Sequence, residues 1–496
     1  MVSFNGTFAQ MLELLVVLIM THATKASNLF LGWARMFSLS VPFLLICFMP
    51  AHQLIGSPQH AVSSSPRSAQ IAELTLKVRS GDKRAVHLFW TKMRKEGTPL
   101  IETIHPDTDH HLVTFLWRAE SHVHNVLLVS GLSNQSYSQA VLPESRLVRL
   151  PGTDVWYRTY RVRSDARFTY RFSVNDSLVP SEEEKNPATR EANFQLDPLN
   201  PRHVSGPTSD SLIELPGAPP QHWIQPRHGA PTGQIRKVSF HSQVLGNERT
   251  LTIYTPPGYD PSGPPYHLLI LMDGEAYTSE IPVPVILDNL LNAGKIPPVV
   301  AIFVGNVPAG QPAARTTELS CHKPFSKFLA EELLPWVRGR YRISSLPTEM
   351  ILGGASRGGL AAICAALDHP EQFGNVSAQS GFFVYQDRNW FKYAESLSAP
   401  DAESREEMAL EHYGTVMQRV AATAKLPIRF YLDVGKFENN FHPSPLIANR
   451  HLRDVLIAKG YAVKYQEFAG HHSPANWRGT FPDALLFLFS DQSVGP

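Results

Sequence analysis

Residues 348–374 read TEMILGGASRGGLAAICAALDHPEQFG. A short apolar run, Met350–Leu352, stops at Gly353-Gly354. Ser356 then stands alone, and Gly358-Gly359 open a stretch rich in alanine and leucine. The pattern predicts strand, tight turn and helix. Gly354-Ala355-Ser356-Arg357-Gly358 therefore fits the G-x-S-x-G turn that raises a serine hydroxyl above a sheet. In so tight a turn, side chains two positions either side of the serine would collide. Glycine removes that collision and tolerates the strained backbone. The hydroxyl is left at a helix N-terminus, whose amides suit a developing oxyanion.

The same rhythm extends over residues 233–496. Apolar strands TLTIYTPP, HLLILMDG, VVAIFVG, MILGGAS, NVSAQSG, IRFYLDVG and VKYQEFAG alternate with helical patterns such as KPFSKFLAEELLPWVRGRY and PLIANRHLRDVLIAKGY. Strands of this kind imply a mostly parallel sheet buried on both faces. With the serine turn, they predict an α/β-hydrolase whose chemistry sits at the strands' carboxyl ends.

Residues 70–200 read differently. HLVTFLWRAE, HNVLLVSGL, VWYRTYRVR and FTYRFSVND are short β-rich segments between turn residues, which predicts an all-β, sandwich-like N-terminal domain. The proline-rich passage at 201–232 reads as a linker that wraps on the surface. Residues 1–65 read as leader and spacer. The run around Phe37–Met49 has Arg35 before it and small and polar residues after it, the layout of a secretory signal starting at Met36. The mature protein is then expected in the periplasm or secreted, with no stable membrane insertion. A membrane-anchored or cytoplasmic leader is the alternative, and Ile46 before Cys47 argues against a lipoprotein signal. Of 496 residues, 43% are hydrophobic and 10% aromatic, which suits a large core. A formal net charge of +1 gives no bulk attraction for nucleic acid. Cys47, Cys321 and Cys364 are too few for a disulfide framework and lack metal-ligand spacing. Cys364 is expected in the core, behind the serine turn.

A serine hydroxyl needs a base, and the base an acid to orient it. In this fold the chain order is Ser, acid, His. YQEFAGHHSPANWRG offers His471 and His472 after the final strand. RFYLDVGKFENN offers Asp433, inside the apolar strand pattern, and Glu438, in the loop beyond Gly435. The loop position favours Glu438. Asp273 in LMDGEAY precedes the serine, so order argues against it as the acid. Its loop is instead placed to give an oxyanion amide from Gly274 or Glu275, with Arg357 giving the other.

With those residues in view, the chain resembles the enterochelin (ferric enterobactin) esterase family. In the first domain the likeness rests on Phe89–Glu102 (FW…EGTPLIE), VTFLWR, LPGTDVWYRTY and DPLNPR. In the second it rests on MDGEAY, RTTELS, EELLPWV, GGASRGG, DVGKFE and GHHSPANWRG, so that it covers roughly residues 80–490. The resemblance implies a base at His472, followed by Trp477, Arg478 and Gly479, and an acid at Glu438 through Gly-x-x-Glu. His471 replaces a glycine of the family pattern. The implied substrate is a ferric catecholate siderophore, a cyclic trilactone carrying iron as an anionic complex. Iron then arrives in the substrate, and neither a protein metal site nor another cofactor is required.

Such a ligand suits guanidinium forks and aromatic faces. Arg315, Arg357, Arg478 and Trp477 are the candidate substrate contacts, with Lys323 and Lys327 behind them. The expectation is a serine esterase in which Ser356 attacks, His472 takes the proton and Glu438 orients it. Two alternatives differ in kind: a feruloyl-type carbohydrate esterase, and a siderophore-binding protein without catalysis.

Overall fold

The computed structural model describes residues 67–490 apart from 121, 205–208, 308–311, 385–413 and 440–443. The expected leader, with Met36 and Cys47, lies outside the described residues.

The first domain is built from β1 (Leu100–Thr103), β2 (His110–Arg118), β3 (Val126–Ser130), β4 (Val148–Arg149), β5 (Val155–Arg163), β6 (Arg167–Val174), β7 (His203–Val204) and β8 (Asp210–Glu214). They pair antiparallel in two sheets ordered β1-β2-β5-β4 and β3-β6-β8-β7. Phe115, Leu128, Phe168, Tyr170, Phe172 and Ile213 form the core of this sandwich. Full burial of each such side chain contributes on the order of 2 kcal/mol.

Two features depart from the sequence expectation. A helical hairpin, Ala69–Arg79 and Ala85–Glu96, precedes β1 and buries Ile71, Leu74, Phe89, Trp90 and Met93 against Leu100, Leu116 and Val155. Its apolar residues recur at three- and four-residue spacing, a helical signal short enough to be passed over. The passage expected as a linker also supplies β7 and β8. Its remainder is irregular and lies on the second domain, where Asn289 Nδ2 donates to Trp223 O and Gln225 O at 2.7 and 2.9 Å.

The second domain holds β9 (Gln234–Ser242), β10 (Asn247–Thr255), β11 (His267–Met272), β12 (Val299–Val304), β13 (Met350–Ala355), β14 (Asn375–Gln379), β15 (Arg429–Gly435) and β16 (Ala462–Phe468). Sheet order is β16-β15-β14-β13-β11-β12-β10-β9. The pairs β9–β10 and β10–β12 are antiparallel and the rest parallel. All six residues of β12 are buried, as are all of β13, because helices cover both faces. This is the expected α/β-hydrolase sheet. Its register aligns the carboxyl ends: Ala355 pairs with Gln379, Gln379 with Asp433, and Gly435 with Phe468. The loops after β13, β14, β15 and β16 therefore leave from one rim.

Candidate active site

Ser356 caps the helix Arg357–Asp368 with φ +57° and ψ −122°, a backbone that costs a non-glycine residue about 1–3 kcal/mol. What holds it there is close approach. A Cβ on Gly354 would lie 2.6 Å from the carbonyl carbon of Gly358, and one on Gly359 would lie 3.0 Å from Ala378 Cβ. The serine's own backbone is tied to the neighbouring loop: its N–H donates to Gln379 O at 2.8 Å, and its carbonyl accepts from Phe382 N at 3.0 Å.

Glu438 follows β15 and is fully buried. Its Oε1 accepts from Gly435 N at 2.8 Å and from the Ser380 hydroxyl at 2.7 Å. Its Oε2 meets His472 Nδ1 at 2.8 Å. Gly435 permits this turn, since a Cβ there would lie 2.5 Å from Gly470 O and 2.8 Å from Glu438 Oε1. A carboxylate so placed fixes the proton on Nδ1 and leaves Nε2 of His472 as a proton acceptor. His472 is partly exposed, and the edge of Trp477 packs against it at 4.9 Å. The Trp477 indole N–H donates to Ser380 Oγ at 2.9 Å. Ser380 thus accepts from the indole and donates to the carboxylate. Sequence reasoning passed over it, although NVSAQSG placed a polar residue at a strand end on the rim.

The other acid and the other histidine go elsewhere. Asp433 is buried and faces Gln379 Nε2 and Ser380 N, both at 3.2 Å. Among the described residues, no hydrogen bond joins it to either histidine. Burial pushes its carboxyl up to about 7. His471 is 1% exposed, reaches Thr169 Oγ1 of β6 at 3.2 Å, and is driven down to about 3 by burial.

With that geometry, comparison with known proteins gives a consistent result. The profile of the enterochelin esterase N-terminal domain matches residues 112–224, and that of the esterase family matches residues 242–488. The chain belongs to the enterochelin esterase family. Iron(III) enterobactin esterase of Dickeya dadantii is 27% identical over 453 residues, 85% of this chain and 97% of that protein. Iron(III) salmochelin esterase of Escherichia coli O6:H1 is 26% identical over 429 residues, 84% and 97% of the two chains. The crystal structure of ferric enterobactin esterase from Salmonella typhimurium is 26% identical with a TM-score of 0.64, covering 81% of this chain and 98% of that one.

In this enterochelin esterase family member the expected oxyanion loop touches the serine turn. Gly274 and Glu275 begin the short helix Gly274–Thr278 behind Asp273, and a Cβ on Gly358 would lie 3.2 Å from Asp273 Oδ2. The first amides of a helix have no acceptor within it, so these are available donors.

The expected substrate contacts do not all converge. Arg357 sends NH1 to Ser320 Oγ at 2.6 Å and stacks on Phe382 at 4.4 Å, beside the serine. Arg315 is held by Asp273 in a two-pronged pair at 2.6 and 2.7 Å, so its charge is already compensated. Arg478 turns the other way. It donates to Gln221 Oε1 at 2.8 Å and lines a cleft of about 790 Å³ with Arg167, Glu214 and Gln225. Neither Ser356, Glu438 nor His472 lines that cleft. Burial lowers the Arg478 guanidinium from its usual range. Trp477 is 7% exposed and lies behind the imidazole rather than over a ligand. Successive helical residues point about 100° apart, so Trp477 and Arg478 leave the helix in different directions. Lys323 pairs with Asp368, and Lys327 with Glu331 at 3.6 Å.

The described residues include a Cys321–Cys364 disulfide with Cα atoms 5.3 Å apart. It ties the loop after Arg315 to the helix that starts behind Ser356.

Proposed function

We propose that this enterochelin esterase family protein is a serine hydrolase that opens the ester bonds of a ferric catecholate trilactone. The observation that carries the mechanism is the buried Glu438 carboxylate bonded to the partly exposed His472, on the rim that also bears the strained Ser356. Ser356 Oγ attacks a lactone carbonyl while its proton passes to His472 Nε2. Amides of Gly274, Glu275 and Arg357 hold the oxyanion. As the tetrahedral intermediate collapses, the C–O bond to the lactone's own ester oxygen breaks, that oxygen takes the proton from His472, and Ser356 is left acylated. Water then yields a proton to the same imidazole, attacks the acyl carbon, and releases Ser356 with a carboxylate product. Iron is carried by the substrate. Its anionic complex meets Arg357 first, and Arg315 where the ligand competes with Asp273.

We infer that the chain works in an oxidising compartment, after export. The Cys321–Cys364 bridge supports this, because such bonds persist outside reducing cytosol. So does the apolar run before Cys47.

The test is product analysis of purified protein with ferric enterobactin, separating trimer, dimer and monomer. The parent is expected to release linear products, and Ser356→Ala none while remaining folded. Full activity in Ser356→Ala would end the assignment. Tight binding without hydrolysis, and no labelling of Ser356 by a fluorophosphonate, would favour a binding protein instead.

A further inference from the structure

The loop that bears His472 is held from both domains. Arg167 N of β6 donates to Ala469 O at 2.9 Å. His471 sits against Gly131, where a Cβ would lie 2.4 Å from its Nδ1, and its Nε2 meets Thr169 Oγ1. Thr169 in turn donates to Asp210 Oδ2 at 3.1 Å and accepts from Gln135 Nε2 at 3.0 Å. The hydroxyl proton is thus committed to Asp210, so His471 is the donor through Nε2–H. Most directly, the backbone N–H of His472 donates to Asn134 Oδ1 at 3.1 Å.

Asn134 is built for that contact. Gly131–Ser133 forms a single 3₁₀ turn, and Asn134 and Gln135 follow with φ +51° and +58°. Asparagine enters this left-handed region more readily than most residues, and its short amide stays close to the backbone. The second domain holds the loop as well: Asn476 Nδ2 donates to His471 O at 3.1 Å, Phe437 N to Gly470 O at 2.9 Å, and His472 Nδ1 meets Glu438 Oε2 at 2.8 Å. Glu438 fixes the ring at Nδ1, but a ring also moves with its own Cα. Asn134 holds that Cα from across the domain boundary.

We propose that Asn134 is a positioning residue for the base, and that the sandwich thereby completes the esterase site. The inference rests on the serine-hydrolase reading above. Displacements of about 1 Å at a reacting group cost on the order of 100-fold in rate.

The test compares Asn134→Gly, which keeps the left-handed backbone and removes the acceptor, with Asn134→Asp, which keeps both. The readouts are the fluorophosphonate labelling rate of Ser356, kcat and KM on ferric enterobactin, and melting temperature. Asn134→Gly is expected to lower labelling rate and kcat by about 10- to 100-fold, with KM and melting temperature close to the parent. Asn134→Asp is expected to restore most of the rate. Equal labelling and kcat in parent and Asn134→Gly overturns the proposal while leaving the hydrolase intact. A loss matched by an equal fall in melting temperature, or no rescue by aspartate, also overturns it. An unlabelled parent overturns the hydrolase reading, and this inference with it.

Discussion

Replacing Ser380 by alanine removes one oxygen that two buried groups share. Glu438 Oε1 loses the donor at 2.7 Å, and the Trp477 indole loses its acceptor at 2.9 Å. A hydrogen bond to a charged group contributes about 1.5–3 kcal/mol, and leaving a buried donor unsatisfied costs about 1–3 kcal/mol. The sum is about 2.5–6 kcal/mol, a large fraction of the ~5–15 kcal/mol that holds a typical fold. Ser380 sits at φ +45°, and alanine keeps that backbone cost constant, which is why alanine isolates the hydroxyl. Trp477→Phe removes the indole donor together with part of the buried ring, and the hydrogen bond's share of the loss is expected to be about 1 kcal/mol. The double variant has no orphaned N–H, so its loss should fall short of the sum of the singles by about 1–2 kcal/mol. The assay is a double-mutant cycle on urea midpoints at constant slope, with kcat measured in parallel. Ser380→Ala is expected to lower kcat by about tenfold, because among the described residues Gly435 N is then the one donor left on Oε1 to fix the angle of Glu438 toward His472. Additive losses, or a Ser380→Ala variant within about 0.5 kcal/mol of the parent, would refute the shared-oxygen account.

The disulfide gives a second prediction. Its loop spans a sequence separation of 43, for which chain entropy gives about 4 kcal/mol. Cys321→Ala should lower the melting temperature by about 10 °C, and a strong reductant should do the same to the parent; identical melting with and without the bond would contradict it. Burial also makes stability depend on pH through Asp433. Its carboxyl is raised to about 7 in the folded chain against about 3.9 unfolded, so the folded state holds an extra proton between those values. That contribution is present at low pH and is lost as pH rises through about 7. His471, lowered to about 3, acts oppositely: its contribution is lost as pH falls below about 6.5. Asp433→Asn should therefore gain stability relative to the parent from pH 4 to 7, checked by denaturation at each pH; a constant difference would show that Asp433 does not titrate there.

Much of the site was legible because its constraints are local. The serine turn announces itself through Gly354 and Gly358, whose backbones nearly touch. The acid is flagged by Gly435, which must let Glu438 and Gly470 approach. The apolar strands β11 to β15 were readable as a buried parallel sheet for the same reason: burial on both faces leaves a continuous apolar run. What escaped depends on contacts distant in sequence or on helix phase. Asn134 meets a histidine 338 residues away. Arg478 was expected over the serine beside Trp477, but adjacent helical residues diverge, and Gln221 of the linker claims it.

One strand end explains why these parts act together. Gln379 O holds the amide of Ser356, while Gln379 Nε2 binds Asp433 Oδ2, Trp477 O at 3.0 Å and Thr480 Oγ1 at 2.8 Å. The next residue, Ser380, binds the acid and the indole. β14 lies between the strand that delivers the serine and the one that delivers the acid. Its carboxyl end is thus the only place in that sheet order where one dipeptide reaches both. Nucleophile, acid and the indole against the base are then set by a single short piece of backbone, so a displacement of Gln379-Ser380 moves all three relative to the substrate at once. Changes at this dipeptide should for that reason be less than additive with changes at Glu438 or Trp477, whereas changes at Asn134, whose partner His472 the dipeptide does not bond, should add to changes at the dipeptide.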